Sequence, residues 1–197
     1  MEPFVRLTGA TAPLDRANVD TDQIIPKQFL KQIERTGFGE FLFFDWRNSE
    51  PDFVLARPEF RHAPILVAGA NFGSGSSREH APWALQDWGY RAILAPSFAD
   101  IFRSNCAKVG LLCAVLEDAA IAELLAAAPA EATIDLEAQT VTLPSGGVAS
   151  FDIDPRTRTN LLNGWDDIAL TVNRADEIAA YERTRERSGP DTLALGA

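Results

Sequence analysis

Asn71-Phe72-Gly73-Ser74-Gly75-Ser76-Ser77-Arg78-Glu79-His80 sets two glycines, three hydroxyl side chains and an arginine between two apolar runs. The run before it, Ile65-Leu66-Val67-Ala68, is short, partly β-branched and bounded by Pro64 and Gly69, which predicts a buried strand. After it, Ala81, Trp83, Ala84, Leu85 and Trp88 form an apolar helical face that stops at Gly89, a natural residue just past a helix end. Ser76-Ser77-Arg78-Glu79 reads as a capping box, which starts that helix at Ser76 or Ser77. Exposed N–H groups at a helix start, together with the Arg78 guanidinium, make a site for an anion, and a planar carboxylate fits the guanidinium fork best. The same residues also describe an ordinary capped helix after a glycine-rich turn.

Other loop signatures fail residue by residue. A dinucleotide fingerprint needs a third glycine where Arg78 stands, and a P-loop needs Gly-Lys followed by Ser or Thr, yet no lysine lies between Lys31 and Lys108. A hydrolase elbow needs glycines two residues either side of its serine. Ser74 has Phe72 and Ser76 there, and Ser76 has Ser74 and Arg78.

Outward from the loop, strand-like and helix-like segments alternate at 65–68, 77–88, 92–95, 97–108, 111–116 and 118–128. That order predicts a parallel sheet with crossover helices. The N-terminal segment up to Pro26 reads as strand and turn. Residues 27–60 carry Phe38, Phe41, Phe43, Phe44, Trp46 and Phe53 among Gly and Pro, an irregular excursion expected to fill core. Val141–Leu143 and Val148–Ile153, either side of Pro144-Ser145-Gly146-Gly147, predict a hairpin. Helices follow near 155–163 and 174–187, and the small-residue tail 188–197 is expected to be flexible.

With 197 residues and 46% hydrophobic content the chain can bury one good core, so a single domain over 1–187 is expected. A formal charge of −10 with no basic run argues against nucleic acid, because the phosphate backbone would be repelled. An anionic metabolite would be held by local cations instead, with Arg78 and Lys27 the best placed. The absence of a leader-like segment or a long apolar run gives a cytoplasmic expectation with no membrane contact. Cys106 and Cys113, seven positions apart among apolar and small residues, are expected to be buried reduced thiols, and His62 and His80 are isolated. Two cysteines do not make an iron–sulfur cluster or a structural zinc site, so no metal site is expected on this chain. Asp20 and Asp22 have the first spacings of a calcium loop, but Ile24 and Ile25 stand where a ligand and a glycine are needed. An Asx-rich turn before Pro26 is the simpler reading.

Gly73-x-Gly75-Ser76-Ser77-Arg78-Glu79, with Ala70-Asn71-Phe72 before it and His80-Ala81-Pro82-Trp83-Ala84-Leu85 after, resembles the serine loop of the aconitase superfamily. The match is to its swivelling domain, and most closely to the small subunits of bacterial 3-isopropylmalate dehydratases. Pro13-Leu14-Asp15 and Asn18 to Leu30 resemble the N-terminal signature of those subunits, and 35–39, 95–102 and 163–168 are similar as well. The chain departs from the family pattern at Val109-Gly110-Leu111-Leu112-Cys113, where Pro usually ends the run.

The resemblance implies a three-layer β/β/α swivelling fold and a hydro-lyase that isomerises 2-isopropylmalate to 3-isopropylmalate through isopropylmaleate in leucine biosynthesis. It implies a [4Fe-4S] cluster on a separate large subunit, the obligate partner, with the small subunit laying its serine loop over a dicarboxylate. Ser76 is then the base. Ser77 and Arg78 hold substrate carboxylate, with Asp22, Lys27, Gly73, Gly75 and Glu79 in support. A helix N-terminus contributes up to ~2 kcal/mol to ionising Ser76 and a nearby guanidinium adds to it, together short of what an aliphatic hydroxyl needs. Activity without the partner is therefore not expected. Two other functions fit the same residues: a related dehydratase acting on citraconate or homoaconitate, and a non-catalytic anion-binding regulatory module.

Overall fold

The computed structural model describes residues 1–31 and 36–185. Arg35 of the 35–39 stretch, the last two positions of the expected 174–187 helix and the tail 188–197 lie outside the described residues. In chain order the elements are β1 (Arg6–Leu14), α1 (Thr21–Ile24), α2 (Phe44–Ser49), β2 (Ile65–Ala68), α3 (His80–Trp88), β3 (Ala92–Ala95), α4 (Asp100–Val109) and β4 (Leu112–Val115). They continue with α5 (Asp118–Ala127), β5 (Glu131–Asp135), β6 (Thr140–Thr142), β7 (Val148–Ser150), α6 (Pro155–Asn163), α7 (Asp167–Val172) and α8 (Ala175–Thr184).

One seven-stranded sheet runs in the order β4-β3-β2-β1-β5-β6-β7. β1 joins its two halves: Thr11–Leu14 pair in parallel with β2, and Arg6–Ala10 pair antiparallel with β5. β2, β3 and β4 are apolar at almost every position because both faces of the parallel half are covered. Alternation then sorts the side chains. Leu66, Ala68, Ile93 and Ala95 pack on one side with Ala84 and Leu85 of α3 and Phe102 of α4. Ile65, Val67, Leu94 and Ala114 pack on the other with Ile121 and Leu124 of α5, Ile134 of β5 and Val141 of β6. The layers are therefore helices, parallel sheet, and the antiparallel half with α5, as the three-layer α/β expectation has it.

The aromatic excursion fills core: Phe38, Phe43 and Phe53 are buried, and Phe41 and Trp46 pack against the same cluster. Arg16 fastens it to the end of β1, its guanidinium 4.3 Å from the Trp46 ring centroid and paired with Glu50. The hairpin appears as β6 and β7, shorter than expected, with Gly146 turning at φ 88°. Cys106 and Cys113 are free and buried, and burial, with Cys113 as neighbour, pushes the Cys106 thiol well above its ordinary value.

One expectation needs correction, and some short elements were not foreseen. α3 begins at His80 rather than at Ser76 or Ser77, and Glu79 at its cap makes no side-chain capping hydrogen bond. The capping-box reading fails because the loop at 71–76, which turns at Asn71, Gly73 and Gly75, is held by hydrogen bonds to neighbours distant in sequence. β5 and α7 were not anticipated, since each is short and follows a run whose local preference points elsewhere.

Candidate active site

The loop leaves β2 at Gly69, where two backbones nearly touch: a Cβ there would stand 2.5 Å from the Arg16 carbonyl oxygen. From that crossing, residues 18–21 and 70–76 run side by side. Asn18 N–H donates to Ala70 O at 2.8 Å, Gly73 and Ser74 N–H both donate to Val19 O at 2.8 and 3.1 Å, and Thr21 N–H donates to Ser74 O at 2.9 Å. The Thr21 hydroxyl donates to Ser76 O at 3.0 Å. On the other side Phe72 N–H donates to Ser97 O at 3.1 Å, and Ala99 N–H donates to Phe72 O at 3.0 Å. Both flanking bridges, Asp20 with Ser74 and Phe72 with Phe98, are parallel. The loop therefore prolongs the β1-β2-β3 order beyond the strand ends, the crevice where open α/β sheets place ligands.

Gly73 is required here. It has φ 78°, and a Cβ on it would fall inside the van der Waals surface of the Phe102 ring. Gly75, at φ 88°, lies over Asp20, with a Cβ 3.3 Å from the Asp20 Cβ. These turns leave Ser76 and Ser77 exposed, neither hydroxyl engaged among the described residues.

Arg78 is turned inward, its side chain 17% exposed, and its Nη1 donates to Asp22 Oδ1. This is its single hydrogen-bonded contact among the described residues, so the rest of the fork stays available to a second carboxylate. Asp22 sits on α1, whose orientation is set by a true capping box. Gln23 N–H donates to Asp20 Oδ1 at 2.8 Å, and Asp20 N–H donates to Gln23 Oε1 at 2.9 Å. The sequence reading expects an Asx-rich turn here; the structure has a capped one-turn helix instead, and Asp20-x-x-Gln23 is the signal that this reading passes over. Asn18, Asp20, Thr21 and Phe102 are the site-shaping residues that loop-centred reading missed.

The remaining expected residues divide. Asp22, Gly73, Gly75, Ser76, Ser77 and Arg78 come together. Lys27, in a 3₁₀ turn at Lys27–Phe29, is exposed and its side chain makes no hydrogen bond or ion pair among the described residues, and Glu79 is exposed. His80 packs edge-on against Phe38 with centroids 5.2 Å apart and lies 4.8 Å from Trp83. Burial holds His80 below the ordinary histidine value, with Arg78 adding to the effect and Glu79 opposing it. Among the described residues no group of three or more His, Cys, Asp or Glu side chains is placed to hold a metal ion, and no helix is long and apolar enough to cross a membrane.

A curled sheet of this order, parallel on one side of β1 and carrying a Gly-Ser-Arg loop at its strand ends, is the swivelling-domain fold of the aconitase type. A crystal structure of 3-isopropylmalate dehydratase (leuD) from Methanocaldococcus jannaschii shares that fold, with TM-score 0.71 at 24% identity over 89% of this chain and 98% of that one. Residues 1–119 match the family model of the aconitase C-terminal domain and 119–155 a model described as LeuD_N. Residues 167–190 match the model of the C-terminal domain of 3-isopropylmalate dehydratase small subunits. The small subunit of that dehydratase from Anoxybacillus flavithermus is 58% identical over 193 residues, 94% of this chain and 100% of the relative. Its counterpart from Halalkalibacterium halodurans is 54% identical over the same shares of the two chains. The chain belongs to the family of 3-isopropylmalate dehydratase small subunits.

Proposed function

We propose that this chain is the small subunit of a cytoplasmic two-chain hydro-lyase of leucine biosynthesis, interconverting 2- and 3-isopropylmalate through isopropylmaleate, and that the 71–80 loop is its share of the active site. The observation that carries the reading is the 58% identity, over essentially the whole of both chains, to a relative named for this activity. The loop geometry supports it: a guanidinium with free donors stands two residues from an exposed serine hydroxyl, the pairing that a carboxylate-bearing substrate with an acidic neighbouring C–H calls for.

In this reading Arg78 binds a substrate carboxylate through the donors that Asp22 leaves free, Ser77 donates to a carboxylate oxygen, and Ser76 Oγ takes the proton from the carbon beside it. Asp22 holds the guanidinium at the loop while its charge is partly offset. A [4Fe-4S] cluster on the large subunit would supply the Lewis-acid chemistry for departure of the hydroxyl group. The described residues of this chain offer no set of ligands for it.

The geometry of the folded chain supports a dependence of Ser76 on the partner. α3 starts four residues beyond Ser76, and helix-end fields fade within one turn. Arg78 already faces a carboxylate. Both effects that could ionise the hydroxyl are therefore weaker than the bare sequence suggests, and the other chain has to complete the environment. The test is turnover by the reconstituted pair against a panel of 2-isopropylmalate, citramalate and homocitrate. Preference for the isopropyl compound supports the reading. Preference for either of the others reassigns the substrate.

A further inference from the structure

Four of the seven large apolar side chains that stand exposed among the described residues fall within fourteen positions: Ile168, Val172, Ile178 and Tyr181, at 74%, 63%, 40% and 65% exposure. They belong to α7 and α8, neither of which buries a residue, and every position from Thr171 to Arg185 is exposed. The root of this arm is fixed. Gly164 lies so close to the N-terminal segment that a Cβ on it would stand 2.6 Å from the Met1 carbonyl oxygen, and Asp166 caps α7 by accepting from Ala169 N–H at 2.8 Å. Beyond the root, the hydrogen bonds of the described residues stay within the arm, as between Arg174 and Glu177 at 2.6 Å.

Helices of six and ten residues do not hold themselves in water, because nucleation is costly and isolated helices shorter than about 12–15 residues are marginal. They persist by burying an apolar face. Here Leu170, Ile178 and Tyr181 line an open groove of about 700 Å³ together with Arg156, Asp167, Arg174 and Glu177, a mixed apolar and charged surface.

How the family divides its chains identifies the occupant. Residues 1–119 match a domain that is, by its description, the C-terminal part of a longer chain, whereas 167–190 match a model described as belonging to the small subunit. A domain on the same chain as its partner is held at high effective concentration without contacts of its own. An untethered subunit has to gain that free energy from surface. Specific interfaces engage about 20–30 residues a side. The ten-residue serine loop falls short of that, and the loop with the nineteen residues from Asp167 to Arg185 reaches it.

We infer that α7 and α8 form the docking arm for the large subunit, an inference that rests on the two-chain reading above. The test titrates the full-length chain and its Ile178→Asp/Tyr181→Asp variant against the large subunit by sedimentation, then measures turnover with the large subunit in excess. The variant binds at least tenfold more weakly, melts at the wild-type temperature and recovers turnover at saturation. Unchanged affinity overturns the inference and leaves the two-chain reading standing, as does a variant that loses only self-association of this chain. A wild-type chain that binds no large subunit overturns both.

Discussion

Ser76 and Arg78 face the site because the residues between and before them are constrained in different ways. Gly73 is fixed by sterics, with positive φ and the Phe102 ring where a side chain would go. Gly73→Ala is expected to cost about 2–4 kcal/mol, from overpacking plus the left-handed backbone penalty, read as a lower urea midpoint. Adding Phe102→Leu should recover part of the loss, and an unshifted midpoint in the single variant would show that the ring yields freely. His80 makes a pH prediction. Its folded-state value is depressed, chiefly by burial, so the unfolded chain binds the proton more readily and stability rises with pH between the two values. The contribution is fully present above the ordinary histidine range near 6.5 and is lost as pH falls through the lowered folded value. Urea midpoints from pH 8 to pH 5 should therefore fall less steeply in His80→Gln than in wild type. Parallel curves would remove His80 from the account.

At the scale of elements, α1 matters beyond its four residues, because it carries Asp22 to Arg78 and its Thr21 ties down Ser74 and Ser76. Asp20→Ala removes the cap and should cost about 1 kcal/mol, while Asp20→Asn keeps most of it. Because the same cap sets the Asp22–Arg78 geometry, the alanine variant should also raise KM for the dicarboxylate, and an unaltered KM would confine Asp20 to stability. The element scale also separates what the sequence makes readable from what it hides. β2 and β3 fall where their unbroken apolar runs put them, and α6 starts at Pro155 and ends before Gly164, both strong local signals. β5, Glu-Ala-Thr-Ile-Asp, has little strand character of its own, and its strand is made by pairing with β1 over a hundred residues away. The start of α3 misleads for the opposite reason. Ser76 to Glu79 satisfies the local capping rule, but bonds with Val19, Thr21 and Ser97 hold Phe72 to Ser74 just before it, and the Thr21 hydroxyl holds the Ser76 carbonyl, so the helix begins only at His80. An anion-binding loop around Arg78 was legible from type and spacing, whereas the roles expected of Ser76 and Ser77 came from the family resemblance. The Asn18–Thr21 segment that shapes the loop was not, because its partner lies more than fifty residues along the chain.

At the scale of the whole molecule, the proposed function makes the exposed serine loop the part of this chain that meets a substrate held by the large subunit. α3 begins four residues beyond Ser76 and Arg78 is paired with Asp22, so among the described residues the effects favouring a Ser76 alkoxide are weak. The 1–119 region is matched by a domain family that is part of a longer chain, and here that domain is carried on a separate one. The central claim is that the 71–80 loop is half of an active site completed across a subunit boundary. The measurement that tests it most directly is isopropylmaleate formation by the purified large subunit mixed with either the wild-type chain or Ser76→Ala, with complex formation followed in the same samples. The account predicts no turnover from either chain alone and full turnover from the wild-type mixture. It predicts intact complex with turnover lower by about 100- to 10,000-fold for Ser76→Ala. Turnover by this chain alone, or a Ser76→Ala complex as active as wild type, would contradict it.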